Sequence, residues 1–215
     1  MYDRGDRDFN TASIQQQSRM TTQIDVIRHG EPVGGRRYRG HGVDDPLSEK
    51  GWQQMWEAVA DSSDWQYIAS SPLSRCLDFA QQLSKKLKIG YSVDDRFKEI
   101  GFGAWEGLSP DDILARDINA LEHFYKDPVR NRPEGAEPLE TFSKRVWDAY
   151  EDVARKHVNE KVLIVGHAGV VRAISANILG MDLDHVYSSL KVEYGGIVTS
   201  IIEASAEPKM VIKAR

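Results

Sequence analysis

The run "KVLIVGH", residues 161–167, decides the fold class. Its four consecutive aliphatic residues match a strand covered on both faces, which is the habit of strands inside parallel sheets. Working outward from it, strand patterns fall at 23–28, 66–70, 91–94, 190–194 and 197–203. "LKVEY", 190–194, is followed at once by "GGIVTSIIE", 195–203, so the two are expected to close the sheet as an antiparallel pair.

Helical spacing separates these strands. Leu73, Cys76, Leu77, Ala80, Leu83 and Leu87 form one apolar stripe, and Phe142, Val146, Ala149 and Val153 form another. Ser48 is placed to cap a helix carrying Trp52, Met55 and Val59, with Leu47 stapled against Trp52. "SPDD" from Ser109 is a second helix start, and Val170 to Leu179 carries a third apolar pattern. The proline-rich segment 126–138 reads as a loop. Strands alternating with helices predict an α/β domain with a mixed, mostly parallel sheet.

Composition narrows the function. The chain has 215 residues, enough for one good core, and a formal net charge of -5 gives no global attraction to nucleic acid or an anionic membrane. Neither is expected as a partner, and any anion site must be local. No run approaches the roughly 18 apolar residues of a membrane span. Cys76 is the single cysteine, which excludes an internal disulfide and fits a cytoplasmic location. Residues 1–22 are polar and aperiodic, without the apolar stretch of a signal peptide, and are expected to be a disordered leader before one domain spanning 23–215. On this reading Met20 is a candidate natural start. Oligomeric state stays open between a monomer and a homodimer.

Three polar clusters stand where strands end: "RHGE" at 28–31, "SSPLSR" at 70–75 and "GHAG" at 166–169. Carboxyl ends of parallel strands converge on one crevice, so the three clusters are expected to share a site. Arg28 and Arg75 supply guanidinium forks suited to phosphate oxygens, Gly30 permits close backbone approach, and the helix beginning after His167 would present free N–H groups to an anion. A neutral imidazole in this setting can attack phosphorus and form a phosphohistidine that water hydrolyses. The leaving alcohol then needs a proton, and "KEIGFGAWEG", 98–107, offers two carboxylates, Glu99 and Glu106. The six histidines lack helical metal-ligand spacing, so neither a metal nor another cofactor is expected.

Each element alone has an ordinary structural reading. A strand-end histidine such as His167 is usually a hydrogen-bonded structural residue, Arg75 can salt-bridge at a surface, and Cys76 fits an apolar stripe. Trp52, Trp56, Trp65 and Trp105 read as packing residues. The placement of all three clusters after strands favours the site.

Taken in order, "VIRHGE", "SSPLSR", "EIGFGAWEG" and "VGHAGVVR" resemble the histidine phosphatase superfamily, also called phosphoglycerate mutase-like, over about residues 23–205. The resemblance implies a three-layer sandwich, with His29 as phosphorylated nucleophile, Arg28, Arg75 and His167 around the phosphate with Gly30 and Ala168, and Glu99 as proton donor. It implies a phosphomonoesterase for a small phosphorylated metabolite. "FGAWEG", "RPEGAEPLETFSKRV" at 132–146 and the tail at 181–201 look most like the α-ribazole phosphatase branch, which acts in cobalamin assembly. Alternatives are a mutase or sugar bisphosphatase using the same phosphohistidine, and a catalytically silent phospho-ligand binding module. Two departures stand out. Pro32, Val33, Gly34 and Gly35 replace the family's usual threonine and asparagine, leaving Arg36, Arg37 or Arg39 to supply the missing substrate contact, and Ala168 replaces a common glycine.

Overall fold

A computed structural model describes residues 21–203 and 210–214; the expected leader, apart from Thr21 and Thr22, lies outside the described residues. Among the described residues six strands form one sheet in the order β3-β2-β4-β1-β5-β6. They are β1 (Thr21–Arg28), β2 (Tyr67–Ser70), β3 (Gly90–Val93), β4 (Lys161–Gly166), β5 (Ile197–Glu203) and β6 (Met210–Ala214). The first four run parallel, while β5 is antiparallel to both β1 and β6, so the sheet is mixed and mostly parallel as expected. Thr21 and Thr22, read from the sequence as leader, belong to β1.

Alternation along each strand feeds two separate cores. Ile24, Val26, Ala69, Ile164 and Val198 face one core with α5 (Leu139–Lys156) and α6 (Ala168–Leu179). Ile27, Ile68, Leu163, Val165 and Ile197 face the other with α1 (Glu49–Ala58) and α2 (Ser74–Leu87). Helices on both faces make the sandwich three layers deep. Ser48 caps α1 by accepting from the Gly51 N–H at 3.0 Å, and Ser109 closes a capping box with Asp112 on α3 (Pro110–Arg116). The short helices α4 (Ala120–Lys126) and α7 (Leu183–Ser189), with no strong apolar stripe, were not anticipated from the sequence. Among the described residues no helix is long and apolar enough to cross a membrane.

One expectation is overturned. Residues 190–194 are not a strand, and β5 pairs with β1 and β6 instead. Gly195 donates to the Arg28 carbonyl at 3.1 Å and Arg28 N–H to Gly196 O at 3.0 Å, so the glycines take the pairing groups beside the end of β1. The residues before them turn away from the sheet; Val192 is buried and its carbonyl accepts from the Arg28 side chain. The apolar-polar alternation of "LKVEY" reflects this lining role.

Register sets up the site. Arg28 pairs with Gly166, and Ser70 with Val165, so β1, β2 and β4 end together. The chains leave in step, with His29 N–H on Gly166 O at 2.9 Å and Ser71 N–H on Val165 O at 3.0 Å.

Candidate active site

His29, the first residue beyond β1, is buried at 6% exposure beside a cavity of about 470 Å³. Its Nδ1 lies 2.7 Å from the Gly30 carbonyl, which fixes the proton there and leaves Nε2 as the unprotonated nitrogen. Burial, followed by the charges of Arg75 and Arg28, pushes the imidazole well below its ordinary 6.5, so it is neutral at physiological pH. Gly30 contributes that carbonyl and does not line the cavity. Its Cα instead packs on Gly51 of α1, where a Cβ would collide with backbone.

Both guanidiniums line the same cavity. Arg28 donates to Val192 O at 2.5 Å and lies 3.9 Å over the Tyr194 ring. Arg75 donates to Val43 O at 3.0 Å and Gly40 O at 2.7 Å. In each, the buried Nε–H has no partner among the described residues. Burial lowers the affinity of both for their protons, yet from values high enough that they stay charged.

His167, expected around the phosphate, is fully buried and is not among the residues lining the cavity; its Nε2 lies 2.8 Å from Ser71 Oγ and 3.6 Å from Cys76 Sγ. Its proton affinity is also depressed, by burial and then by Arg75. Cys76 is a core thiol whose pKa burial raises far above the ordinary range, which excludes an activated nucleophile.

The two candidate carboxylates separate cleanly. Glu99 lines the cavity; its Oε1 accepts from Ile100 N–H at 3.0 Å and its Oε2 from Gly169 N–H at 3.3 Å, in the first turn of α6. One N–H that the sequence reserved for an anion is therefore held by Glu99. Glu106 points elsewhere. It accepts from Phe102 N–H at 3.0 Å and fills the space beside Gly40 and Gly42, where a Cβ on either would strike its carboxylate.

Farther from His29 the cavity wall is cationic and aromatic. Arg36, Arg37 and Arg39 all line it, as does Ala168. Arg39 is committed to Asp45 at 2.8 Å and Val33 O at 2.6 Å, and Arg37 to Gly34 O and Gly107 O, while Arg36 is exposed. Sequence reasoning missed Arg172, Tyr194, Phe124 and the Tyr38–Tyr125 pair, whose hydroxyls lie 2.8 Å apart. Arg172 was legible as the arginine closing "VGHAGVVR", one helical turn beyond Ala168. Trp105 packs at 5.3 Å from Tyr38 and Phe124, as a packing residue should. Together these groups can bind a phosphoryl dianion on two arginines, attack it with a neutral imidazole nitrogen, and move a proton at a carboxylate.

Comparison with known proteins shows the family and the fold. Residues 24–208 match the family described as the histidine phosphatase superfamily, branch 1. Phosphoserine phosphatase 1 of Hydrogenobacter thermophilus is 30% identical over 169 residues, covering 76% of this chain and 79% of that protein. The metal-independent phosphoserine phosphatase of Arabidopsis thaliana is 27% identical over 79% of this chain and 74% of its own. Among solved structures, Bacillus stearothermophilus YhfR superposes with a TM-score of 0.79 at 28% identity, over 90% of this chain and 96% of that one.

Proposed function

The chain belongs to the histidine phosphatase superfamily and is a phosphoric monoester hydrolase, and on that footing we propose that it works through a phosphohistidine at Nε2 of His29. In the first step the Nε2–P bond forms as the P–O bond to the alcohol breaks. Glu99 protonates the departing oxygen, and Arg28 and Arg75 hold the peripheral oxygens, while His167 packs edge to face against His29. Water then attacks phosphorus, Glu99 takes its proton, and His29 returns to the neutral form as inorganic phosphate leaves. No metal enters this scheme. The observation that carries it is the pair of buried guanidiniums, Arg28 and Arg75, lining one cavity with a histidine whose Nδ1 is tied to the Gly30 carbonyl.

The substrate is proposed to be a small phosphorylated metabolite in the cytoplasm. α-Ribazole 5'-phosphate is the finer reading, supported by the likeness of 132–146 and 181–201 to that branch and by an aromatic wall suited to a flat base. A monoester that also carries a carboxylate is the second reading, favoured by Arg36 and Arg172 on the same wall and by relatives named phosphoserine phosphatase. The test is kcat/KM for α-ribazole 5'-phosphate, phosphoserine, 3-phosphoglycerate, fructose 2,6-bisphosphate and an aryl phosphate, with His29→Ala as background. A preference of about 100-fold, roughly 2.7 kcal/mol, selects the class. Transfer of the phosphoryl group to a second monophosphate in place of water would make the protein a mutase.

A further inference from the structure

Glu99 sits on a strap, residues 98–102, that has no regular secondary structure, so the path of its backbone is held by side-chain anchors. One residue of α5, Arg145, supplies most of them. Its Nη1 donates to the carbonyls of Arg96 at 2.7 Å and Lys98 at 2.9 Å, and its Nη2 to the carbonyl of Glu99 itself at 3.2 Å. Its Nε and Nη2 also fork onto Glu137, each at 2.8 Å. An arginine has five N–H donors, and here five bonds account for them. Glu137 completes the clamp from the opposite side, taking Gly101 N–H at 3.3 Å on Oε2 and donating its own N–H to Gly101 O at 3.0 Å. The pair is largely buried, with side-chain exposures of 21% and 15%, so solvent does little to loosen it.

We infer that Arg145, oriented by Glu137, is a positioning residue that fixes Glu99 for proton transfer to the leaving oxygen. This rests on the acid role given to Glu99 above. Arg145 is not among the residues lining the cavity, so its effect passes through the strap. Lysine keeps the charge but offers one ammonium in place of a planar fork, and it cannot reach three carbonyls and both carboxylate oxygens at once. A displaced Glu99 would still have its carboxylate but would meet the leaving oxygen off line, and errors of about 1 Å in such alignments cost up to ~100-fold.

The experiment compares wild type, Arg145→Lys, Glu99→Gln and the double variant on p-nitrophenyl phosphate, whose leaving group needs no proton, and on glycerol phosphate, whose alkoxide does. The expected result is that Arg145→Lys lowers kcat/KM for the alkyl ester about 10- to 100-fold more than for the aryl ester, and that the double variant is no worse than Glu99→Gln alone. Equal losses on both esters, or additive losses in the double variant, would overturn it as a merely structural contact. If Glu99→Gln discriminates and Arg145→Lys does not, the positioning role alone fails; if Glu99→Gln treats both esters alike, the acid assignment fails and takes the positioning role with it. Should Arg145→Lys not fold, Glu137→Gln carries the same discrimination in milder form, and its absence there overturns the inference.

Discussion

The rings of His29 and His167 meet edge to face, centroids 5.1 Å apart at an interplanar angle of 67°. Two imidazoles so close to Arg28 and Arg75 coexist only because both are neutral, and each holds its proton affinity well below 6.5 through burial first and arginine charge second. A bound dianion reverses that repulsion. The site is therefore tuned electrostatically to favour an anion between the two arginines.

This balance has a measurable effect on stability. As pH falls through 6.5 the unfolded chain takes up protons at both histidines that the fold refuses, so their contribution to stability is complete above 6.5 and is lost as pH drops toward their folded values. Each histidine adds a slope of up to ~1.4 kcal/mol per pH unit. Urea midpoints at pH 7.5, 6.5 and 5.5 should fall accordingly, less steeply in His29→Gln; an unchanged slope in that variant would show that His29 is already protonated in the fold.

Replacing His29 by Ala should reduce turnover on the order of 10³-fold or more, because among the described residues no other imidazole lines the cavity with both arginines. Wild-type enzyme denatured in alkaline detergent during turnover should carry acid-labile, alkali-stable phosphate, and phosphorus NMR should place it on Nε2, since Nδ1 is tied to Gly30 O at 2.7 Å. Phosphate on Nδ1 would contradict the tautomer.

Glu106→Ala should lower stability by about 1–3 kcal/mol, as the Phe102 N–H loses its acceptor and the space beside Gly40 and Gly42 empties. Its ratio of alkyl to aryl ester hydrolysis should match wild type. A collapse of that ratio would instead identify Glu106 as the acid.

Gly51→Ala should destabilise by about 1–3 kcal/mol, because the new Cβ meets the Glu31 backbone and drives α1 from the end of β1. The site should suffer too, through the carbonyl that orients His29. Thermal melting and kcat, measured together, check both halves; an unperturbed Tm would mean that α1 shifts without strain.

The parts of the fold written in local periodicity were legible in advance. The stripe from Leu73 to Leu87 became α2 and "KVLIVG" became β4, because a face that must be buried over several turns or along a strand leaves a repeating trace. "LKVEY" left a similar trace for a different reason, with Val192 turned into the protein and Tyr194 under Arg28. The three clusters at the strand ends were readable because a parallel sheet collects its carboxyl ends. Arg145 and Glu137 were not. Their partners lie up to 49 residues away on an irregular strap, and nothing in the pattern of a loop announces which carbonyls a distant arginine will gather.

Cys76 gives the molecule a built-in clock. It is the single thiol of the chain, it has no exposed surface, and it touches the imidazole of His167. An alkylating reagent can reach it only when the sheet and α2 part, so labelling measures how often the site comes undone, and a phosphate analogue that bridges His29 and Arg75 should slow it. The opening frequency of the active site can thus be followed without any substrate, by the mass of one adduct.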